Sequence, residues 1–80
     1  PQVNFSTLIM SLFSSALAYM GEVPNPETGE TMENLEVARH NIDVLAMLEE
    51  KTKGNLDEQE NQILRDVLFE LRMKFVQKKQ

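Results

Sequence analysis

The hydrophobic and polar positions of the chain repeat with the period of an α-helix in three separate stretches. In the first, residues 5–20, the large apolar residues gather on one broad arc of a helical wheel, whereas a strand would show strict alternation. This arc consists of Phe5, Leu8, Ile9, Leu12, Phe13, Ala16, Leu17, Tyr19 and Met20. The remaining face consists of the small residues Thr7, Ser11, Ser14, Ser15 and Ala18. Since small side chains let another helix approach closely, helix 1 is predicted to pack on both faces.

A connection over residues 21–33 follows helix 1. Gly21 suits the position just after a helix, and residues 22–29 contain two prolines and a Thr-Gly turn. No helix runs through such a segment, so the sequence predicts a loop. A loop of this length in a small chain is a candidate for function, and a crossover between angled helices explains it equally well.

Helix 2 is predicted for residues 35–53. Asn34 suits the N-cap position, and Gly54 after Lys51 and Lys53 is a stop signal. One apolar stripe with helical spacing supports this assignment. The stripe consists of Leu35, Ala38, Ile42, Leu45, Leu48 and Thr52.

Helix 3 is predicted for residues 58–76. Asp57 and Glu60 have the spacing of a D-x-x-E capping box at its start. Its main apolar face consists of Ile63, Leu64, Val67, Leu68, Leu71 and Phe75. Because the connection to helix 2 is short, the two helices are predicted to form an antiparallel hairpin. The predicted fold is therefore an all-α, three-helix module, one domain over residues 1–80, with helix 1 packing in an oligomeric helical bundle.

Helix 3 has a second apolar stripe on its other side. Phe69, Met73 and Val76 lie at i, i+4 and i+7, where a monomer leaves them in water. Burying three such side chains yields at most roughly 5–9 kcal/mol per subunit, while association costs about 4–15 kcal/mol. In a two-fold dimer both copies bury the stripe, so its contribution to the free energy of association is doubled, and burial of part of helix 1 increases it further. The predicted oligomer interface consists of Phe5, Leu8, Ile9, Ser11, Leu12, Phe13, Ser15, Phe69, Met73 and Val76.

Composition supports association and weakens other classes of function. A core from 80 residues supplies only about 3–5 kcal/mol, and the absence of cysteine excludes disulfides and thiolate metal sites. With 13 acidic and 4 basic residues, residues 1–71 carry −9, and the basic residues after them bring the chain to −5. Because an acidic body repels phosphate backbones, no nucleic-acid partner is expected.

The uncharged N-terminal stretch is a poor fit to a signal peptide or a membrane span. No basic segment precedes it, which a signal peptide requires. Since the chain starts at Pro1, a processed form or a fragment is an open alternative. Helix 1 would span only about 24 Å of a hydrocarbon core of roughly 30 Å. Membrane association is therefore the weaker expectation.

The candidates for chemistry lack a complete set of partners. Glu36 and Asp43 lie on the side of helix 2 that carries His40, so a metal ligand cluster is conceivable, and a solvated charged face is the alternative. As a general base, His40 has no nucleophile beside it in sequence. Asn41 lies within the apolar arc of helix 2. One interpretation is a buried amide that fixes register or oligomer state, and the alternative is a position at the edge of the arc whose amide bonds to water. We therefore predict no catalytic residue, metal or cofactor.

Five segments of the chain carry a resemblance to a known family. They are residues 5–17, 21–29, 34–43, 47–56 and 68–76. With the motifs G-E-x-P-x-P-x-T-G and E-K-T-x-G-N-L, they resemble a small bacterial family known as domain of unknown function number 1844. The resemblance implies a short, helical, cytoplasmic module without established activity, cofactor or catalytic residues. Tyr19 and Met20 replace a His-Leu pair often found in the family.

Taken together, the sequence predicts a non-enzymatic interaction, scaffolding or regulatory module that acts as a homo-oligomer, with an unidentified protein partner as a further option. One alternative is a site for a small hydrophobic ligand between the helices, with Met10, Met20 and Met47 in its wall and residues 22–33 as its lid. A second is a peripheral membrane tether through helix 1.

Overall fold

The computed structural model describes residues 3–25 and 27–79 and contains three α-helices. Helix α1 spans Phe5–Tyr19, α2 spans Leu35–Lys51 and α3 spans Glu58–Lys79. The only extended pairing within these ranges is an isolated antiparallel bridge between Met20 and Glu33. The prediction of an all-α fold is confirmed.

Each helix begins where a polar side chain accepts a hydrogen bond from the first turn. The Asn34 side chain accepts from the Val37 amide at 3.2 Å. Asp57 and Glu60 form both bonds of a capping box, at 3.0 and 2.7 Å. At α1 the Asn4 side chain accepts from the Thr7 amide at 2.8 Å, a cap that was not predicted from the sequence.

The helices end by different means. After α1, Gly21 has φ +77°, and the amides of Gly21 and Glu22 donate to the carbonyls of Ala18 and Leu17, the pattern of a Schellman motif. Helix α2 ends two residues earlier than predicted, where the Thr52 hydroxyl donates to the Leu48 carbonyl at 2.6 Å. Helix α3 ends three residues later than predicted, because no glycine or proline interrupts its polar end.

The loop between α1 and α2 is closed by backbone hydrogen bonds. Its two ends meet where the Asn34 amide donates to the Tyr19 carbonyl at 2.7 Å. At its far end the Asn25 amide donates to the Glu30 carbonyl at 2.9 Å, and the Gly29 amide donates back to Asn25 at 2.7 Å. These contacts hold the start of α2 beside the end of α1.

The core draws on all three helices of the single chain. Every pair of helices is in contact. The buried cluster consists of Ile9, Ala16, Met20, Ala38, Ile42, Leu45, Leu64, Val67, Leu68 and Leu71. Helix α1 therefore packs against α2 and α3 of its own chain, and its packing in an oligomeric bundle stays a prediction.

The chain is thin for its mass. Its Cα extents are 36 × 31 × 16 Å and its radius of gyration is 12.8 Å, against about 11.6 Å for a typical domain of this length. Its accessible surface is 5667 Å², whereas a folded monomer of 9.2 kDa typically exposes about 4900 Å². The fold thus leaves an unusually large surface for a chain of this size.

Candidate interaction surface

The outward face of α3 carries a ridge of three exposed apolar side chains, which we call the α3 stripe. Phe69 is 68% exposed, Met73 51% and Val76 55%. The stripe is exposed because the opposite side of the same helix faces the core. The buried side consists of Leu64, Val67, Leu68 and Leu71. The prediction that the single chain leaves this stripe in water is confirmed.

Two grooves border the stripe. The first has a volume of about 430 Å³ and is lined by all three stripe residues, with Arg65 and Arg72 on its rim. Glu49 brings α2 to the same groove. The second has about 410 Å³, and there Glu70, Lys74 and Gln77 accompany Phe69 and Met73. An apolar ridge with a groove on each side fits a helical partner better than a flat surface does.

The predicted interface residues of α1 have different environments. Ile9 is fully buried in the core of the single chain, whereas Leu8 is 46% exposed. Ser11 is exposed, and Ser15 is half-buried. Three further members of the predicted α1 set are partly buried against the core, namely Phe5, Leu12 and Phe13. The described structure therefore divides the α1 set between the core and a smaller exposed strip.

The residues predicted to line a ligand pocket differ in exposure, and the pocket stays a prediction. Met20 is fully buried, while Met10 and Met47 are 46% and 47% exposed. None of the described residues of loop 22–33 lines the 430 Å³ groove. Two of them, Asn25 and Glu27, line a small and mainly polar pocket of about 90 Å³ near the end of α1.

The chain is similar along its sequence to a known protein family. The family described as "Domain of unknown function (DUF1844)" matches residues 2–77, nearly the full length. The chain belongs to the DUF1844 family. The family resemblance seen in the sequence is thereby confirmed. No match was found among curated proteins or among solved structures.

The candidate chemical groups of this DUF1844 chain lie on the solvent side of α2. His40, Glu36 and Asp43 are all exposed. Within residues 3–25 and 27–79, no cluster of three or more His, Cys, Asp or Glu side chains is arranged to hold a metal ion. Asn41 is 9% exposed, and no described side chain has a fully buried polar atom without a hydrogen bond.

The length and apolar character of the helices in the DUF1844 chain bear on the membrane hypothesis. None of those described combines the length and the apolar character needed to cross a bilayer. The hypothesis of a peripheral membrane tether through α1 stays a prediction.

Proposed function

We propose that this DUF1844 chain is a non-enzymatic helical interaction module that forms a homodimer or higher homo-oligomer and works in scaffolding or regulation. The observation that carries the proposal is the α3 stripe. Its three side chains are 51–68% exposed although a core is available on the other side of the same helix. A contiguous apolar ridge of this kind is typical of a surface that a partner covers.

The size of the exposed surface supports this proposal. The chain exposes several hundred Å² more than a typical monomer of its mass. A standard interface removes about 800 Å² from each partner, which is similar to this excess. Three side chains do not supply such an area, so the groove walls beside the stripe take part in the proposed contact.

The free energy of burying the stripe, compared with the cost of association, also requires contacts beyond the three stripe residues. Covering the exposed part of each stripe residue yields roughly 1–2 kcal/mol, and a two-fold dimer covers six such side chains. The sum of about 6–12 kcal/mol falls within the association cost of about 4–15 kcal/mol. The stripe is therefore the centre of the proposed interface, and exposed α1 residues such as Leu8 and Ser11 are candidates for its periphery.

The proposal includes an antiparallel arrangement of α2 and α3, which shapes the larger groove. Only residues 52–57 connect the two helices. A shallow pocket has Leu35 and Arg39 from the start of α2 beside Phe75 and Lys79 from the end of α3. At the other end of α2, Glu49 shares the larger groove with Arg65. Both observations favour an antiparallel hairpin.

The test places charges on the stripe. In Phe69→Lys with Met73→Glu, two apolar side chains at the proposed contact become charged, so the oligomer should dissociate and the molar mass should fall to that of one chain. The measurement is sedimentation velocity with light scattering. Circular dichroism should stay helical, because both positions are exposed in the single chain.

A matched control makes the same charge change outside the larger groove. His40→Lys with Met47→Glu alters two exposed positions of α2 that do not line it. We expect the control to keep the molar mass of the original chain. If the stripe variant kept that mass as well, the stripe would be excluded as the interface.

A second candidate function is the binding of a small hydrophobic ligand. The groove volume of about 430 Å³ lies within the range of small-molecule sites, roughly 300–1,000 Å³, and its wall includes Leu68, Phe69, Met73 and Val76. In this version the ligand lies against α3, without the lid proposed from the sequence. Native mass spectrometry of the purified chain distinguishes the two candidates: a co-purifying ligand supports binding, and a ligand-free dimer supports self-association.

A further inference from the structure

Charged residues lie on both edges of the α3 stripe, and their signs differ. Arg65 and Arg72 are exposed at the rim of the larger groove. Glu70 is exposed at the groove on the other side, where Lys74 also lies, half-buried and further toward the core. The face around the stripe thus has a basic edge and an edge that carries an acidic residue.

The spacing of these residues follows the heptad pattern of a coiled coil. Phe69, Met73 and Val76 are separated by four and three residues, as alternating d and a positions are. In this register Arg65 and Arg72 take g positions, and Glu70 takes an e position. Residues at g and e are those that form ion pairs between helices and determine the orientation of the partner.

The edge charges have no ion-pair partner within the described part of the chain. The two ion pairs there join Lys53 to Glu50 and Lys78 to Glu33. Arg65 donates one hydrogen bond of 3.4 Å to the neutral Gln62. Glu49 faces the basic edge from α2 without forming an ion pair. The charges at the edges therefore remain available to a second molecule.

A second copy can place its α3 on the stripe in two symmetric ways, and the edge charges distinguish them. In a parallel pair, the basic edge of each helix faces the Glu70 edge of the other, and the g-to-e contact brings Arg65 to Glu70 of the second copy. In an antiparallel pair centred on the stripe, basic edges face each other, so that Arg72 approaches Arg72 and Arg65 approaches Lys79. Like charges at these positions oppose the antiparallel pair.

We propose that the chain dimerises with its two α3 helices parallel, around a two-fold axis along the stripe, and that the Arg65–Glu70 contacts between copies select this orientation. The inference rests on the proposed function, since it specifies the geometry of the same surface. Asp66 precedes Met73 by seven residues, so in a parallel pair it would face Asp66 of the second copy and the two carboxylates would repel. The apolar part of the contact therefore begins at Phe69, and the long Arg65 side chain reaches Glu70 of the second copy from the turn before it.

Disulfide trapping tests the orientation directly, because the chain has no cysteine of its own. In a parallel pair Val76 meets Val76, so Val76→Cys should form covalent dimers under mild oxidation. In the centred antiparallel pair the two positions are displaced by about 10 Å along the axis, too far for a disulfide. Lys53→Cys, at an exposed position with 74% of its side chain accessible, controls for random collision.

The trapping experiment separates failure of the orientation from failure of dimerisation. Preferential cross-linking of Val76→Cys over the control supports the parallel pair. If the original chain is dimeric and only a mixture of Phe69→Cys and Val76→Cys cross-links, the pair is antiparallel and this inference is wrong while the proposed function stands. If the original chain is a monomer in sedimentation experiments, both are overturned.

Charge reversal tests the role of the edge residues. Arg65→Glu and Glu70→Arg should each weaken dimerisation by about tenfold, because two attractive contacts become repulsive. The double variant R65E/E70R should return the dissociation constant to within about threefold of the original. Tighter dimerisation of Arg65→Glu would contradict the proposal, since an antiparallel pair would gain an attraction to Lys79.

Discussion

Helices α1 and α3 both bury apolar residues, but they differ in the apolar side chains that they leave exposed. Helix α1 has no charged residue, and it buries Ile9, Ala16 and Ala18 within its own chain. Helix α3 is rich in charged residues, yet Phe69, the most exposed large apolar side chain on any of the three helices, belongs to it. Both helices therefore stabilise the single chain, and the more polar one also carries the exposed α3 stripe.

The difference lies in which face of each helix the core covers. The broad apolar arc of α1 packs against both α2 and α3. Helix α3 makes its core contacts with one side, and its stripe lies on the other, where Glu49 of α2 lines the larger groove. The position of an apolar stripe relative to the core, more than the overall hydrophobicity of its helix, thus indicates whether that stripe is free.

The largest expected effect is a loss of unfolding free energy at one of two neighbouring residues of α1. Ile9→Ala should cost about 2–5 kcal/mol of unfolding free energy, because Ile9 is fully buried. This loss is comparable with the whole stability of so small a core. Leu8→Ala should cost under about 1 kcal/mol, because Leu8 is 46% exposed. Urea denaturation followed by circular dichroism measures both, and equal losses would contradict the assigned packing of α1.

Charged substitutions on α1 and on α3 should weaken dimerisation to different degrees. Leu8→Lys with Ser11→Glu charges the exposed strip of α1, where both positions are accessible. If α3 supplies the centre of the interface, this variant should weaken dimerisation less than the corresponding change at Phe69 and Met73, because hot spots lie at the centre of an interface. The dissociation constants from sedimentation equilibrium decide the order. A larger effect in α1 would move the interface centre there.

A smaller effect is expected at the start of α3. Asp57→Ala removes the side chain that accepts from the Glu60 amide at 2.7 Å, which should cost about 0.5–2 kcal/mol. Asp43→Ala, an exposed residue within α2, serves as the control with the same change of side chain and charge. A loss in melting temperature for the first variant alone supports the capping box as the determinant of this helix end.

The helix starts could be predicted because their signals are local. Asn34, and Asp57 with Glu60, form hydrogen bonds within three residues along the chain. Asn4 carries the same signal before the first apolar run, although it was not predicted as a cap. The early end of α2 lies at Thr52. The helical spacing places this residue in the apolar stripe, whereas in the structure its hydroxyl donates to the Leu48 carbonyl.

The division of α1 could not be predicted from one sequence. Leu8 and Ile9 lie side by side on the same apolar arc, and which of them is buried depends on where α2 and α3 cross that arc. The α3 stripe was predictable because it lies opposite the main apolar face of its helix, so that packing one face exposes the other. The same holds for the methionines: Met20 is fully buried while Met10 and Met47 are 46% and 47% exposed, a difference that depends on packing between helices.

Sedimentation equilibrium of the unmodified chain from about 1 µM to about 1 mM tests the central claim most directly. We predict a concentration-dependent rise from the mass of one chain to twice the 9.2 kDa chain mass or more, with helical circular dichroism throughout. A folded, cooperatively melting species of 9.2 kDa at every concentration, without a bound ligand, would contradict it.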